Sequence, residues 1–379
     1  MAIVAMGLLV FFTYRSMLSL GFEANASSLT AITPLFYAIA SIVVMFFSRN
    51  SIQTRFSVLW MAWVIWMFII FFIFGMRDEG TMTFFYVVFA PLSFLFFYTV
   101  SLCSDQVRKI AIYGFIILYA LAYYLNIINV GRVMSISIGE VLGVSNLVYW
   151  CLCATPILLL VDKQWIKSIV IALTTIIVLI TGKRSATIAM ALIILVFVFS
   201  SMHGKRKIWS TIGILVFVIV LYFIISRYLE GSFLGVVERM SNMREDEGSG
   251  RIMIYHDVIN VLKDNSFFEW ILGRGQGSIR LSQHSNAHND ALQILFEFGI
   301  VGLIGYLAFL MAIFRRMAIL RKSKSNNYIS YAASVIITVM LGLVSNLVPF
   351  HNYFAFLCIY WGIVEADLVS DNTLKIIRF

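Results

Sequence analysis

Apolar runs close to 20 residues long alternate with short polar connections along most of the chain. Runs of that length match the hydrocarbon thickness of a bilayer. They predict helical spans at roughly 1–20, 29–47, 56–75, 82–103, 109–129, 139–161, 165–181, 186–202, 208–226, 287–314, 328–348 and 352–369. One connection breaks the rhythm. From about Arg227 to Asn286 the chain runs some sixty residues without a span, far beyond an ordinary loop. The pattern therefore predicts an all-α polytopic membrane protein with about 12 transmembrane helices. Nine spans fill residues 1–226, a long loop fills 227–286, and three further spans with a tail fill 287–379.

Inside the loop the pattern changes period. Ile252, Tyr255, Val258, Ile259 and Leu262 recur at helical spacing, with Arg251, His256, Asp257, Asn260 and Lys263 elsewhere around the turn. This predicts an amphipathic helix lying on the membrane surface, with Ser249 as its cap and Arg251 in its first turn. Phe267, Phe268 and Trp270 follow as an interfacial aromatic patch. Gly273, Gly275 and Gly277 then let the backbone turn sharply. Ser285 or Asn286 is the expected cap of the next span, which puts His288, Asn289 and Asp290 in its first turn, where anions are favoured.

Composition agrees with the spans. Of 379 residues, 61% are hydrophobic and only 12% charged, too few charges to cover a soluble domain of this size. The opening residues lack a basic n-region, although Ala24-Asn25-Ala26 resembles a cleavage site. With span after span following, they read as a retained first helix. Cys103, Cys151, Cys153 and Cys358 all fall within or at the ends of apolar runs, and read as small core residues with no disulfide or zinc framework.

The net charge of +9 changes meaning once it is mapped. Lys and Arg crowd one set of alternate connections, from Arg49 and Arg55 through Lys205-Arg206-Lys207 to Arg321, Lys322 and the tail. The opposite set holds few, and the long loop balances its bases with acids. By the positive-inside rule both termini are cytoplasmic and the long loop is outside. The basic excess is thus a topology signal and gives no reason to expect nucleic acid.

Candidate chemistry gathers on the outer side. A Gly182-Lys183-Arg184-Ser185 hairpin places two cations at the outer surface, against the usual charge bias. As plain structure they are a snorkelling pair. His284 and His288 have a spacing that can hold a metal on a continuous helix, but no third ligand is evident and a helix boundary falls between them. The acidic run Glu245-Asp246-Glu247 reads as a solvated loop. The glycines at 273–277 do not open a helix after a strand, so they are no nucleotide loop. His203 belongs to a basic surface, His256 reads as solvated, and His351 sits in a short outer turn.

These residues carry a resemblance. Thr181-Gly182-Lys183-Arg184-Ser185 at an outer hairpin resembles the turn of the bacterial O-antigen polymerase and O-antigen ligase family. So does Ser249-Gly250-Arg251 with an aromatic, Tyr255, four residues on. A third match is the run of His288-Asn289, Leu292, Glu297, Gly299 and Gly302. The similarity covers roughly residues 165–315. Tyr255 stands where the family usually has Trp, and Lys183 where it usually has Ser.

The resemblance implies transfer of a glycan from undecaprenyl pyrophosphate to a sugar hydroxyl on the outer face of the inner membrane, without metal or cofactor. His288 is the expected base, since imidazole titrates near neutrality. Arg184 and Arg251 are the expected pyrophosphate contacts, because guanidinium is permanently charged and binds phosphate through two hydrogen bonds. Lys183, Arg274 and Arg280 are further candidates for that role. Asn289, Tyr255, Glu297 and His284 are expected in support. Glu297, about 13 Å further along the helix, is either part of the site or a helix–helix hydrogen bond. Expected partners are the lipid-linked oligosaccharide, membrane lipid and a protein that controls chain length. Polymerase is favoured by the Leu292–Gly302 continuation; ligase is the close alternative. A flippase is the alternative from another class, disfavoured because no internal repeat or midplane charge is evident.

Overall fold

The computed structural model describes residues 54–74, 81–103, 105–136, 148–161, 163–181, 183–201, 251–279, 286–348 and 351–370, with positions 39 and 43. The expected spans at 1–20, 29–47 and 208–226, the start of the long loop with Ser249 and the acidic run, His203, Arg280 and His284 lie outside these residues. So does the side chain of His351.

Among the described residues the elements are helices. They are α1 (Arg55–Phe74), α2 (Thr81–Cys103), α3 (Asp105–Ile136), α4 (Val148–Leu158), α5 (Gln164–Thr181), α6 (Arg184–Ser201), α7 (Arg251–Lys263), α8 (Phe267–Leu272), α9 (Asp290–Lys322), α10 (Tyr328–Val344) and α11 (His351–Ser370). Four of these are long and apolar enough to cross a membrane by length and composition: α1, α5, α9 and Tyr353–Ser370 within α11. Each expected span within the described residues has a helix in its place, with boundaries moved by a few residues and α9 extended to Lys322, while positions 139–147 of the 139–161 span lie outside those residues.

The middle of the bundle is α4. All 11 of its residues are buried, and it touches α3, α5, α6, α10 and α11. A helix apolar on every side suits such a central place. Cys151 and Cys153 are buried in it as free thiols, with Cys358 buried in α11. Beside it, α11 packs along α2, where Gly362 admits the partner backbone: a Cβ there would stand 2.6 Å from the Phe94 carbonyl oxygen. Trp60, Phe94, Phe309, Phe354 and Trp361 interlock between α1, α2, α9 and α11 at ring separations of 5.0–6.4 Å.

Several of the polar groups buried in this core are paired. The Arg316 guanidinium grips the fully buried Glu365 carboxylate with two hydrogen bonds, the second at 2.7 Å, joining α9 to α11. Thr174, Thr175 and Thr181 return their hydroxyls to carbonyls one turn back in α5. That is how apolar helices accommodate hydroxyls where no water competes.

Helix α9 bends at Gly299, where φ is 67° and ψ −169°. The bend frees the carbonyls of Phe296 and Glu297 from the helical ladder. The glycine loop takes them over: Arg274 N–H donates to Phe296 O and Gly275 N–H to Glu297 O, both at 3.0 Å. A Cβ on Gly273 would lie 2.3 Å from the Glu297 carbonyl oxygen, and one on Gly299 2.2 Å from that of Ile271. Only hydrogen fits at either place. The glycines at 273–275 therefore splint a kinked helix, a role beyond the free turning expected of them.

Candidate active site

Asn289, rather than Ser285 or Asn286, caps α9. Its Oδ1 accepts the Leu292 N–H at 3.1 Å, while its backbone is extended at φ −152°. A side-chain oxygen reaching the third following amide is the usual solution for the first unpaired donors of a helix. The other end of the same amide, Nδ2, donates to the Leu343 carbonyl at the end of α10, at 3.3 Å. One asparagine thus starts α9 and ties it to α10.

His288 consequently falls outside the helix, with φ 52°. Left-handed backbone is uncommon for a residue bearing a Cβ, and such residues concentrate at functional sites. What holds it is α7. The Tyr255 hydroxyl lies 3.2 Å from the His288 carbonyl and 3.3 Å from that of Leu343, so it can donate to either. Tyr255 is also hydrogen-bonded to Asn289. Burial raises its phenol above the ordinary tyrosine range, with the Arg251 guanidinium opposing, so the phenol stays protonated.

Helix α7 docks on α9 by a narrower face than its stripe predicts. Val258 and Leu262 are buried with Ile279, Ala287 and Phe296, whereas Ile252 and Ile259 are 61% and 44% exposed. Part of that stripe therefore packs against protein. The docked face brings Arg251 toward His288. Burial, then Arg251, then Lys183 lower the His288 imidazole from its ordinary value. Two cations from segments far apart in sequence thus act on one histidine that is neutral at neutral pH.

Lys183 precedes α6 and places its ammonium 5.6 Å from the centre of the Tyr149 ring. Arg184 is the first residue of α6. The next residue, Ser185, is buried in a triangle of hydroxyls. Tyr149 Oη lies 2.8 Å from both Ser185 Oγ and Ser345 Oγ, which are 3.1 Å apart. The hairpin is thereby anchored to α4 and to the residue ending α10.

The remaining expected residues sit elsewhere. Arg274 donates to Asn265 Oδ1 at 2.8 Å, pairs with Glu269 at 3.4 Å and stacks on Phe296 at 5.4 Å. Those contacts make it a brace of the loop. Glu297 is buried at the bend, accepting from Gln293 Nε2 at 3.1 Å on its own helix. His256 is exposed and bonded to Asn260, as a solvated residue would be.

Sequence reasoning passed over the segment from Leu343 to Val348. Besides Leu343 and Ser345, it contains Asn346, buried at φ 57°, whose Nδ2 donates to Gln293 Oε1 at 2.9 Å. It also contains the amides of Leu347 and Val348, which donate to the buried carboxylate of Asp290 at 2.8 and 3.2 Å. A signal existed: Asp290, Gln293 and Glu297 fall at i, i+3 and i+7, one polar face on a span where polar side chains are expensive.

Residues 169–307 match the family model described as O-antigen ligase. Across that segment the chain is similar to the O-antigen ligase family. The match runs from α5 into α9 and so takes in Lys183, Arg184, Arg251, Tyr255, His288, Asn289 and the Gly299 bend. No curated protein matches the chain. The family match and the apolar helices together support a membrane protein of the lipopolysaccharide-related glycosyltransferase type.

Proposed function

We propose that the chain is an O-antigen polymerase of the bacterial inner membrane, with about 12 spans, both termini cytoplasmic and the 227–286 loop in the periplasm. Its donor is a growing glycan on undecaprenyl pyrophosphate, and its acceptor is a sugar hydroxyl of a lipid-linked repeat unit. The observation that carries this reading is a half-buried His288 kept neutral by burial and by the charges of Arg251 and Lys183. A base and a cationic pocket are the two things this transfer needs.

In the reaction His288 takes the proton of the acceptor hydroxyl as its oxygen bonds to the anomeric carbon of the donor. The carbon–oxygen bond to the pyrophosphate breaks, and undecaprenyl pyrophosphate leaves with the electron pair. Arg251, Arg184 and Lys183 meet the charge developing on that leaving group, fixed in place before the bond breaks. Asn289 and Tyr255 hold the histidine turn, and neither step calls for a metal ion.

The test is His288→Ala with the cell's lipopolysaccharide resolved on a gel. Loss of polymerase leaves core bearing a single repeat unit. Bare core with polymer retained on the carrier would make the protein a ligase. An unchanged ladder would refute the catalytic role of His288, and a failure to deliver any repeat unit outward would point to a flippase.

A further inference from the structure

His288, at the start of α9, feels both Arg251 from α7 and Lys183 from the hairpin. Something sets the gap between them. The geometry points to Asp290 as a positioning residue. Its carboxylate clamps the Leu347–Val348 turn to the first residue of α9, and that turn carries Ser345, which holds the hairpin. The inference rests on the proposed role of His288.

The links are all short. Asp290 is fully buried and accepts from Leu347 N–H at 2.8 Å, from Val348 N–H at 3.2 Å and from the Tyr306 hydroxyl. Two residues before it is His288. Two residues before Leu347 is Ser345, bonded to Ser185 and Tyr149. Lys183, in turn, rests over the Tyr149 ring. The clamp therefore joins base to cation in three steps. Gly342 shows how closely it is built: a Cβ there would fall 2.8 Å from Tyr306 Oη and 2.9 Å from Asp290 Oδ2. A purely structural reading is that Asp290 only satisfies two buried amides, which any membrane turn requires. The two readings differ in what they do to His288.

The experiment uses the full-length protein in nanodiscs and lipid-linked repeat units extracted from a host strain lacking it. The rate is followed against pH. The charged groups acting on His288 are Arg251 from α7 and Lys183 from the hairpin, with the neutral Tyr255 beside them. Asp290→Ala is expected to slow transfer about 100-fold, the scale of a 1 Å misplacement. Because Lys183 then recedes, the acid limb of the profile moves to higher pH. Asp290→Asn keeps an oxygen for both amides and is expected to restore the rate and the limb. A slower Asp290→Ala enzyme with an unmoved limb would overturn the proposal, as would an unimpaired one. If Asp290→Ala does not accumulate folded, Gly342→Ala perturbs the same clamp with the carboxylate kept, and the same shift or its absence decides. His288→Ala in the same preparation separates the two readings: activity there defeats the base assignment itself.

Discussion

The Tyr255 hydroxyl stands 3.2 Å from the main-chain carbonyl of His288, 33 residues away in sequence. It is the contact by which a loop helix holds a histidine in left-handed backbone. A hydroxyl on an aromatic lever does this without adding charge near the imidazole.

Tyr255→Phe keeps the ring and removes only those bonds. The loss of one to two hydrogen bonds costs about 1–2 kcal/mol. The His288 turn should loosen, and turnover should fall roughly five- to thirtyfold. Steady-state rates on lipid-linked substrate check this, with melting of the purified protein as the control for folding.

The pH profile follows from the sign of the His288 shift. Burial and two cations disfavour imidazolium, so the neutral base persists below the ordinary histidine value and activity is lost only as pH falls through that lowered value. Arg251→Gln removes one cation. The limb should then move to higher pH, while affinity for the pyrophosphate donor also falls. A limb that stays in place would mean the base is another group.

Gly299→Ala should abolish the folded protein. The residue has φ 67°, and its Cβ would lie 2.2 Å from the Ile271 carbonyl oxygen. Left-handed strain and overpacking together cost at least ~2 kcal/mol. Fluorescence-detected size exclusion of a tagged protein should show aggregate or no peak, and Gly273→Ala should behave alike.

Arg316→Met leaves the Glu365 carboxylate buried without its partner, and breaking such a pair costs about 3–5 kcal/mol. Replacing both, Arg316→Met with Glu365→Leu, should recover most of the loss. Thermal unfolding in detergent measures each. Transfer activity of the double variant should remain, since the pair lies far along α9 from His288.

Much of this architecture can be read along the chain. The helices α1 to α6 and α9 to α11 lie where apolar runs of bilayer length predict helices, because each helix must bury its own length of apolar surface. His288, Asn289, Arg251 and Lys183 were visible because charge and imidazole are costly beside membrane spans. The amphipathic stripe of α7 was visible too, though which half of it meets protein was not: Val258 and Leu262 differ from Ile259 only in what stands opposite.

The roles inside the site came from contacts. Asn289 reads as a supporting residue in sequence, and only the fold shows it capping α9 while holding α10. The Gly273–Gly275 loop reads as a flexible turn until Phe296 and Glu297 are seen to need the amides of Arg274 and Gly275. Tyr149 and Ser345 are 196 residues apart, Asp290 and Leu347 57 apart. Local pattern determines what each segment must bury, since burial is a property of a stretch. Which carbonyl receives which donor depends on where distant helices end, and no period in the sequence records that.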